Sequence, residues 1–368
     1  MVNRALISIS AFALATVTSA QYHVTDLGVL PGGDRSYAFG INDFGVVAGF
    51  SHTPNGARAY LWDSTQGMRD LGVLRQDYYS FALSVNSHGV TTGYSGNGLV
   101  KTGFDGGMGG LRNIGTYGGD PDSLAIDIND AGQIVGMSGS DMGSKRAFLY
   151  DPVTGMHDLG KLDGTSGSFA RGINENGMVV GHSTDSYSAK AFAWTAATGM
   201  YQLKNLEGGN ETWATDVNDA GTAVGWATDE HGVRHAVAWG SSQQGGNKEP
   251  RSIGGSSGGT LSFDSAVALA INNSGSIVGY GTNGGADQAF FYSPNTGATR
   301  LIDLVDSSGA GWNLVHAEDI NASGQIVGYG YINGNLHGFV ATPVPEPASA
   351  LVILSGIAAL SLRKRRSK

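Results

Sequence analysis

Several groups of residues in the 368-residue sequence have the types and spacing of catalytic or metal-binding sites. His231 and His235 stand four residues apart, a spacing that suits zinc when it occurs on a helix. The segment Gly255 to Gly259 (GSSGG) matches the pattern of a serine nucleophile elbow. The segments DINDAG (127–132) and DVNDAG (216–221) are similar to the start of a calcium-binding loop. Whether any of these groups can bind a metal or catalyse a reaction depends on the secondary-structure element that carries it.

The surrounding sequence argues against all three chemistries. There is no helical period outside the chain ends, so the histidine pair and the serine both lack the helix they require. His235 also fills a repeat position that holds Arg58, Arg146 and Lys190 in other copies. The calcium-like segments have no glutamate at the twelfth position. The sequence has no cysteine, which excludes disulfides and thiolate ligands. We therefore expect no catalytic residue, no metal and no cofactor.

One phrase, Asn-x-x-Gly-x-x-x-Gly preceded by Ile or Val, recurs seven times. The structure that these repeats form must position the candidate residues. Its asparagines follow one another at steps of 44, 43, 45, 44, 54 and 49 residues: Asn42, Asn86, Asn129, Asn174, Asn218, Asn272 and Asn321. Asn at the first and Gly at the last position is typical of a type I turn. The short runs between the glycines are apolar at successive positions, which predicts central strands buried on both faces.

Each repeat contains the signals of four strands. A strand with a small residue at its entry precedes the asparagine, an aromatic third strand follows the second glycine, and a fourth strand surrounds Asp-Leu-Gly. Four strands in about 44 residues is the size of one β-propeller blade. The sequence therefore predicts an all-β, seven-bladed propeller of four-stranded antiparallel blades over residues 21–342. The second copy lacks the aromatic third strand, so the completeness of that blade is open.

The two ends of the repeat region indicate how the ring closes. The segment 22–28 (YHVTDLG) carries a fourth-strand signal before the first asparagine, whereas the seventh copy ends without one. A sheet that is apolar on both faces must stack against two neighbours, and a closed ring protects the end faces. We expect the N-terminal strand to complete the seventh blade.

Trp62, Trp194 and Trp239 have the residue type of a sugar-stacking platform. They share one repeat position, which Tyr150 and Tyr292 fill in other copies. Periodic aromatic residues are more typical of packing anchors, so we interpret these five as core residues.

The loops that lead from one blade to the next are the least regular part of the repeats. In a propeller they gather on one face around the axis, where ligands commonly bind. The residues of this predicted ligand face are Asp34, Arg35, Asp77, Tyr78, Tyr79, Asp120, Asp122, Asn210 and Glu211. The alternative interpretation is ordinary solvated loops. Pairs of carboxylates among them could serve a glycosidase, although their separation cannot be read from sequence.

The charge balance excludes one class of partner. Without Arg4 and the segment from Val344 onward, the chain holds 16 basic and 30 acidic residues, a net charge of −14. Binding to phosphate backbones needs a basic surface. We therefore expect no nucleic-acid partner.

Both chain ends have the pattern of targeting segments. Residues 1–20 carry one early positive charge, an apolar stretch and small residues near the end, which predicts a signal peptide cleaved between Ala20 and Gln21. At the other end, the uncharged run Ala348 to Leu362 is shorter than the roughly 20 residues of a full membrane span. Four basic residues follow it directly: Arg363, Lys364, Arg365 and Arg366. Such a cluster retains a tail on the cytoplasmic side, so the pattern predicts a stop-transfer helix.

The segment 343–368 resembles a bacterial PEP-CTERM sorting signal. It has Pro345, Glu346 and Pro347, then the apolar run, then the arginine-rich terminus, in the order of that family. The resemblance implies transient insertion in the inner membrane and processing by an exosortase. It also implies a Gram-negative protein that ends at the cell surface or in the extracellular matrix.

The repeats resemble the HAF repeat of bacterial extracellular proteins. The shared phrases are "DLG", the asparagine-glycine phrase and third strands of the "HAFLW" type, over roughly Asp26 to Phe339. That family implies no activity for any residue.

Two functions are compatible with these observations. The first is a noncatalytic surface or matrix module that binds exopolysaccharide or another envelope glycan, or acts as a scaffold. The second is an extracellular carbohydrate-active enzyme, a hydrolase or lyase, that uses carboxylates of the ligand face. The fold cannot separate them, because propellers host both.

Overall fold

The computed structural model of the chain describes residues 21–74, 76–140, 145–185, 188–240, 249–253 and 261–344. The predicted signal peptide (1–20), the GSSGG segment and the predicted sorting segment from Pro345 to the last residue lie outside the described residues. Within the described ranges, no helix is long and apolar enough to cross a membrane.

The described chain forms seven four-stranded antiparallel sheets, which confirms the predicted seven-bladed β-propeller. The first strand, β1, is Tyr22–Asp26. Blade 1 contains β2 (Arg35–Ile41), β3 (Val47–Thr53), β4 (Gly56–Asp63) and β5 (Gly67–Asp70). Blade 2 contains β6 (Tyr79–Val85), β7 (Thr91–Gly96), β8 (Lys101–Gly107) and β9 (Gly110–Asn113). Blade 3 contains β10 (Asp122–Ile128), β11 (Ile134–Gly139), β12 (Arg146–Asp151) and β13 (Gly155–Asp158). Blade 4 contains β14 (Gly167–Ile173), β15 (Val179–Thr184), β16 (Ala189–Thr195) and β17 (Gly199–Gln202).

The remaining three blades repeat this order. Blade 5 contains β18 (Thr212–Val217), β19 (Ala223–Thr228), β20 (Arg234–Trp239) and β21 (Pro250–Ser252). Blade 6 contains β22 (Ser265–Ile271), β23 (Ile277–Asn283), β24 (Ala286–Ser293) and β25 (Gly297–Arg300). Two short 3-10 helices, Leu301–Leu304 and Ser307–Gly309, precede the last blade. Blade 7 contains β26 (Trp312–Ile320), β27 (Ile326–Ile332) and β28 (Asn335–Pro343), with β1 as its fourth strand.

The two ends of the described chain meet in blade 7. β1 pairs antiparallel with β28, from Tyr22 opposite Pro343 to Asp26 opposite Phe339. Tyr22 is buried and makes an edge-on contact with Phe291 of blade 6. Each blade therefore has two neighbours, and the pairing of β1 with β28 closes the ring.

The hydrophobic core is divided among the seven interfaces between neighbouring blades. One cluster, for example, joins Ala48 and Leu61 of blade 1 to Ala82 and Phe104 of blade 2. The other six clusters join blades 2 and 3, 3 and 4, 4 and 5, 5 and 6, 6 and 7, and 7 and 1. A blade that is apolar on both faces is stable only between two others. Blade 2 is complete, because Phe104 supplies the buried aromatic ring of its third strand.

The two glycines of the repeated phrase have different structural causes. Gly45 and its counterparts close the turn with positive φ, which is 77° at Gly45. The second glycine faces a β-bulge in the neighbouring first strand. At Gly225 a Cβ atom would lie 1.9 Å from the carbonyl oxygen of Trp213, so a side chain does not fit. The phrase therefore encodes both the turn and the bulge beside it.

Candidate functional site

The seven repeated asparagines form a closed belt around the propeller axis. Nδ2 of each asparagine donates to the backbone carbonyl oxygen of the asparagine in the next blade, at distances of 2.8 to 3.2 Å, and Asn321 donates to Asn42. Oδ1 of the same side chain accepts backbone N–H groups of its own turn, as Asn174 does from Asn176 and Met178. The asparagine thus joins the turn to the neighbouring blade. Sequence analysis predicted the turn but not the belt.

One end of the central channel of the propeller, beyond the belt, is lined by acidic side chains. Asp43, Asp130, Glu175 and Asp219 directly follow four of the belt asparagines and line a cavity of about 240 Å³. Their carboxylates accept N–H groups of the preceding blade, as Asp219 does from Glu175 at 3.0 Å. Burial, together with the nearby charges of Asp130 and Asp219, raises the pKa of Glu175. These acids therefore have a structural role in holding adjacent turns together.

On the other side of the belt, a β-bulge in every first strand shapes the wall of the channel. The register of pairing with the second strand shifts between an alanine, such as Ala170, and the residue two places later. Bulges re-aim side chains and are common beside functional sites. The bulged residues line one cavity in all seven blades: Phe39, Leu83, Ile126, Arg171, Thr215, Leu269 and Glu318. We refer to this space, on the side of the belt where the first strands begin, as the axial cavity.

The axial cavity has a volume of about 430 Å³, within the range of small-molecule sites. Its wall also contains the aromatic rings of Trp213, Trp226 and Tyr280. Charged groups are unevenly placed, with Arg171 on blade 4 and Glu318 on blade 7, nearly opposite each other in the ring. The cavity therefore combines aromatic walls with charges of both signs.

Three aspartates at the base of the cavity, Asp127, Asp216 and Asp319, join adjacent blades. Each lies two residues before a belt asparagine. Asp216 accepts the N–H of Val217 at 2.7 Å through Oδ1 and the N–H of Ile271 in blade 6 at 2.8 Å through Oδ2. Asp127 and Asp319 make the equivalent pairs of bonds. Both oxygens of each carboxyl group are therefore engaged by the backbone.

The pKa values of these aspartates reflect their enclosure. Burial raises the pKa of Asp216 to about 8 and that of Asp319 to about 7, and it also raises the pKa of Asp127. The charge of Asp127 contributes to the shift at Asp216, whereas the backbone N–H bonds oppose it. Asp216 is therefore largely protonated at neutral pH. Sequence analysis did not identify these three residues, although Asp127 and Asp216 are the first residues of the DINDAG and DVNDAG segments.

A ring of cross-strand side-chain pairs surrounds the cavity further from the belt. Each pair joins the residue five places before a belt asparagine to one on the second strand: Tyr37 with Phe50, Phe81 with Tyr94, Leu124 with Met137, Phe169 with His182, Trp213 with Trp226, Val267 with Tyr280 and His316 with Tyr329. Several rings also stack between blades, such as His182 on Trp213 at 3.7 Å between centroids. This stacking fixes the aromatic wall.

Arg171 differs from the other charged groups of the wall. Its Cζ lies 5.2 Å from the centroid of the Trp213 ring. Its Nε is buried without a hydrogen-bond partner, and in the described part of the chain no ion pair to this residue is found. Burial lowers its pKa. Glu318 is paired, because Oε1 lies 3.1 Å from Nδ1 of His316.

Next to Arg171, His182 is fully enclosed. Burial, assisted by the charge of Arg171, lowers its pKa to about 2, so the ring is neutral. Its Nδ1 has no hydrogen-bond partner among the described residues. His182 stacks on Phe169 as well as on Trp213, so it supports the wall as a packed ring.

None of the nine residues of the predicted ligand face is among the residues that line the axial cavity. Asp34 and Arg35 form an exposed ion pair with each other. Asp122 is buried and accepts the N–H of Lys101 at 2.8 Å. Asp120 lies 3.7 Å from Nε of Arg146.

The other members of that predicted face are also dispersed. Asp77 donates its N–H to Leu74 within the loop, Tyr78 is 68% exposed and Tyr79 is half-buried. Asn210 accepts a bond from Thr228. Glu211 lines a further cavity of about 360 Å³, which shares Trp213 and Trp226 with the axial cavity and also contains Arg234.

The remaining sequence candidates occupy ordinary structural positions. His231 lies in the turn between two strands of blade 5, and Nε2 of His235 lies 2.9 Å from Oδ2 of Asp229. Among the described residues, no group of three or more His, Cys, Asp or Glu side chains could hold a metal ion. Trp239 is fully buried and Nε1 donates to the carbonyl oxygen of Lys204 at 2.8 Å.

The fold is that of a β-propeller with an axial cavity of ligand size, and it is similar to solved structures of the same class. A streptogramin B lyase has a TM-score of 0.52 at 10% identity, covering 88% of this chain and 98% of that one. The virginiamycin B lyase of Staphylococcus aureus has a TM-score of 0.52 at 10% identity, covering 87% and 98%. A puromycin hydrolase has a TM-score of 0.50 at 12% identity, covering 81% of this chain and 50% of that one. No protein-family model matches the sequence, and no curated protein is significantly similar to it. These likenesses establish the fold alone.

Proposed function

We propose that the protein is an exported, noncatalytic binding module that holds an envelope or matrix glycan in the axial cavity. The observation that carries this proposal is the use of the cavity carboxylates. Asp127, Asp216 and Asp319 each direct both oxygens to backbone N–H groups of two blades. A carboxyl group whose two oxygens both hold the scaffold together is poorly placed to exchange a proton with a substrate. The aromatic rings and Arg171 remain for contact with a ligand.

Binding to an array of bacterial exopolysaccharide fragments tests this proposal. We expect the purified protein to bind at least one glycan, and a Leu269→Trp variant, which fills the axial cavity, to lose that binding. Leu99→Trp is the matched control, because Leu99 is 91% exposed on blade 2. Loss of binding in both variants, or in neither, would contradict the assignment of the site.

The second candidate function is a carbohydrate-active enzyme. It is favoured by the raised pKa of Asp216, about 8, because a carboxyl group that keeps its proton at neutral pH can act as a general acid. Incubation of each bound glycan with the protein, followed by measurement of new reducing ends and of unsaturated products, separates the two functions. Turnover that is lost in Asp216→Asn, with binding retained, would replace the noncatalytic proposal.

The chain ends support a proposed route to the envelope. We propose that residues 1–20 direct export, and that an exosortase processes the chain near Pro345, Glu346 and Pro347 while the segment 348–362 lies in the inner membrane. Replacement of Glu346 by Ala in the native Gram-negative host is expected to leave the longer precursor in the membrane fraction. Equal release of both forms, measured by immunoblot of cell fractions, would contradict this route.

A further inference from the structure

We infer that the axial cavity selects a glycan that carries a carboxylate, a uronic acid residue, and that Arg171 is the group that binds this carboxylate. The inference rests on the proposed binding function and specifies its ligand. It begins from one structural fact: a half-buried guanidinium lines a cavity without an ion pair or hydrogen bond in the described part of the chain. A charged group that is partly removed from water and left without a partner is costly, and a ligand can remove that cost.

The position of Arg171 is fixed by its surroundings. The guanidinium lies over the Trp213 ring, and that ring is stacked on His182 and on Trp226. Because the pKa of His182 is lowered to about 2, the histidine stays neutral and adds no competing charge. A planar guanidinium held in this way presents paired N–H donors, which match the two oxygens of a carboxylate.

The rest of the wall suits a sugar ring better than a dense polyanion. Glu318, on the opposite side of the cavity, supplies an acceptor for a hydroxyl group. The charge of Glu318, and the net charge of −14 between Arg4 and Val344, oppose the accumulation of many negative charges. A single uronic acid residue satisfies both conditions, because its carboxylate meets Arg171 while a hydroxyl group donates to Glu318.

The test uses trisaccharides that end in glucuronate or galacturonate, each paired with the same trisaccharide after reduction of the carboxyl group to hydroxymethyl. Isothermal titration calorimetry gives the Kd of each for the purified protein. We expect at least one uronate to bind on the order of 10- to 100-fold more tightly than its reduced partner, the range of a charge-assisted pair. Arg171→Gln should abolish this difference, and Arg171→Lys should retain part of it.

The control is Arg251→Gln. Arg251 also lies over an aromatic ring, Tyr292, but it donates to the hydroxyl of that ring and does not line the axial cavity. We expect this variant to bind as the unmodified protein does, and all three variants to melt within a few degrees of it. A uronate preference that survives Arg171→Gln would overturn the role of Arg171.

Two further outcomes separate this inference from the proposed function. Equal binding of uronates and their reduced partners would overturn the inference and leave the glycan-binding function intact. No binding of any of these trisaccharides, with no glycan of the array bound either, would overturn both.

Discussion

Replacement of Asn174 by Ala isolates the contribution of the asparagine belt. The side chain of Asn174 makes three hydrogen bonds: Nδ2 donates to the carbonyl oxygen of Asn218 at 2.9 Å, and Oδ1 accepts from Asn176 at 3.0 Å and from Met178 at 2.9 Å. Asn174 is 4% exposed, so water does not readily replace these partners. The variant removes one link of the belt and the side-chain support of one turn.

The expected loss can be worked from these contacts. At about 1 kcal/mol for each buried hydrogen bond, the three together contribute about 3 kcal/mol to the free energy of unfolding. For a ring of roughly 320 residues the entropy of unfolding is about 0.7 kcal/mol/K, so the melting temperature should fall by about 4 to 5 °C. Asn174→Asp keeps the two turn bonds but places a carboxylate against the carbonyl oxygen of Asn218. Its loss should be largest at neutral pH and smaller in acid, where a protonated Asp can donate.

Differential scanning calorimetry of the purified protein measures these shifts. The control is Asn295→Ala, because Asn295 lies exposed in the turn between the third and fourth strands of blade 6, where we expect a change below about 0.5 kcal/mol. A melting temperature for Asn174→Ala equal to that of Asn295→Ala would refute the belt as a source of stability. A loss for Asn174→Asp that grows toward acid pH would refute the donor role of Nδ2.

Three further predictions concern the bulge, the basal aspartates and the ring closure. Gly225→Ala should lower the free energy of unfolding by more than 2 kcal/mol, measured by urea unfolding, because the new Cβ would lie 1.9 Å from a carbonyl oxygen. The control Gly109→Ala should leave it nearly unchanged, because no atom lies within 4 Å of that Cβ. Equal losses in the two variants would contradict the role of the bulge. Folding raises the pKa of Asp216 from 3.8 to about 8 and that of Asp319 to about 7, so the folded ring binds more protons than the unfolded chain. The free energy of unfolding should therefore fall between pH 5 and pH 8, by roughly 1 kcal/mol per pH unit for each group until the pKa of that group is reached. An increase in stability over this range would contradict the pKa shifts. Tyr22→Ala should lower the free energy of unfolding by about 3 kcal/mol and increase proteolysis, because a buried ring of the closing strand is removed; unchanged protease resistance would count against closure by β1.

Sequence analysis could predict the fold because every repeat contains the residues that cause its turn and its buried strand. Gly45 and its counterparts need positive φ, and the apolar runs between the glycines need two buried faces. Both signals are local and recur seven times. The fourth strand of blade 7 was also recognisable, since residues 22–28 contain a signal that the last copy lacks.

The axial cavity could not be predicted in the same way. Its wall depends on a β-bulge in each first strand. The bulge interrupts the alternation of side chains between the two faces of the sheet, so that the residue after the alanine, such as Arg171 after Ala170, points toward the axis. A signal was nevertheless present. The position four residues before each belt asparagine is always alanine, whereas the next position holds Phe, Leu, Ile, Arg, Thr or Glu. A variable position beside one that is always alanine is typical of a side chain that does not pack in the core.

The central claim is that the ligand binds in the axial cavity against Arg171, and a crystal structure of the protein grown with the tightest-binding uronate trisaccharide tests it most directly. We predict density for the sugar between Arg171 and Glu318, with the carboxylate within hydrogen-bonding distance of the guanidinium. Density for the sugar beside Tyr78 or Glu211, with the axial cavity free of ligand, would contradict this claim.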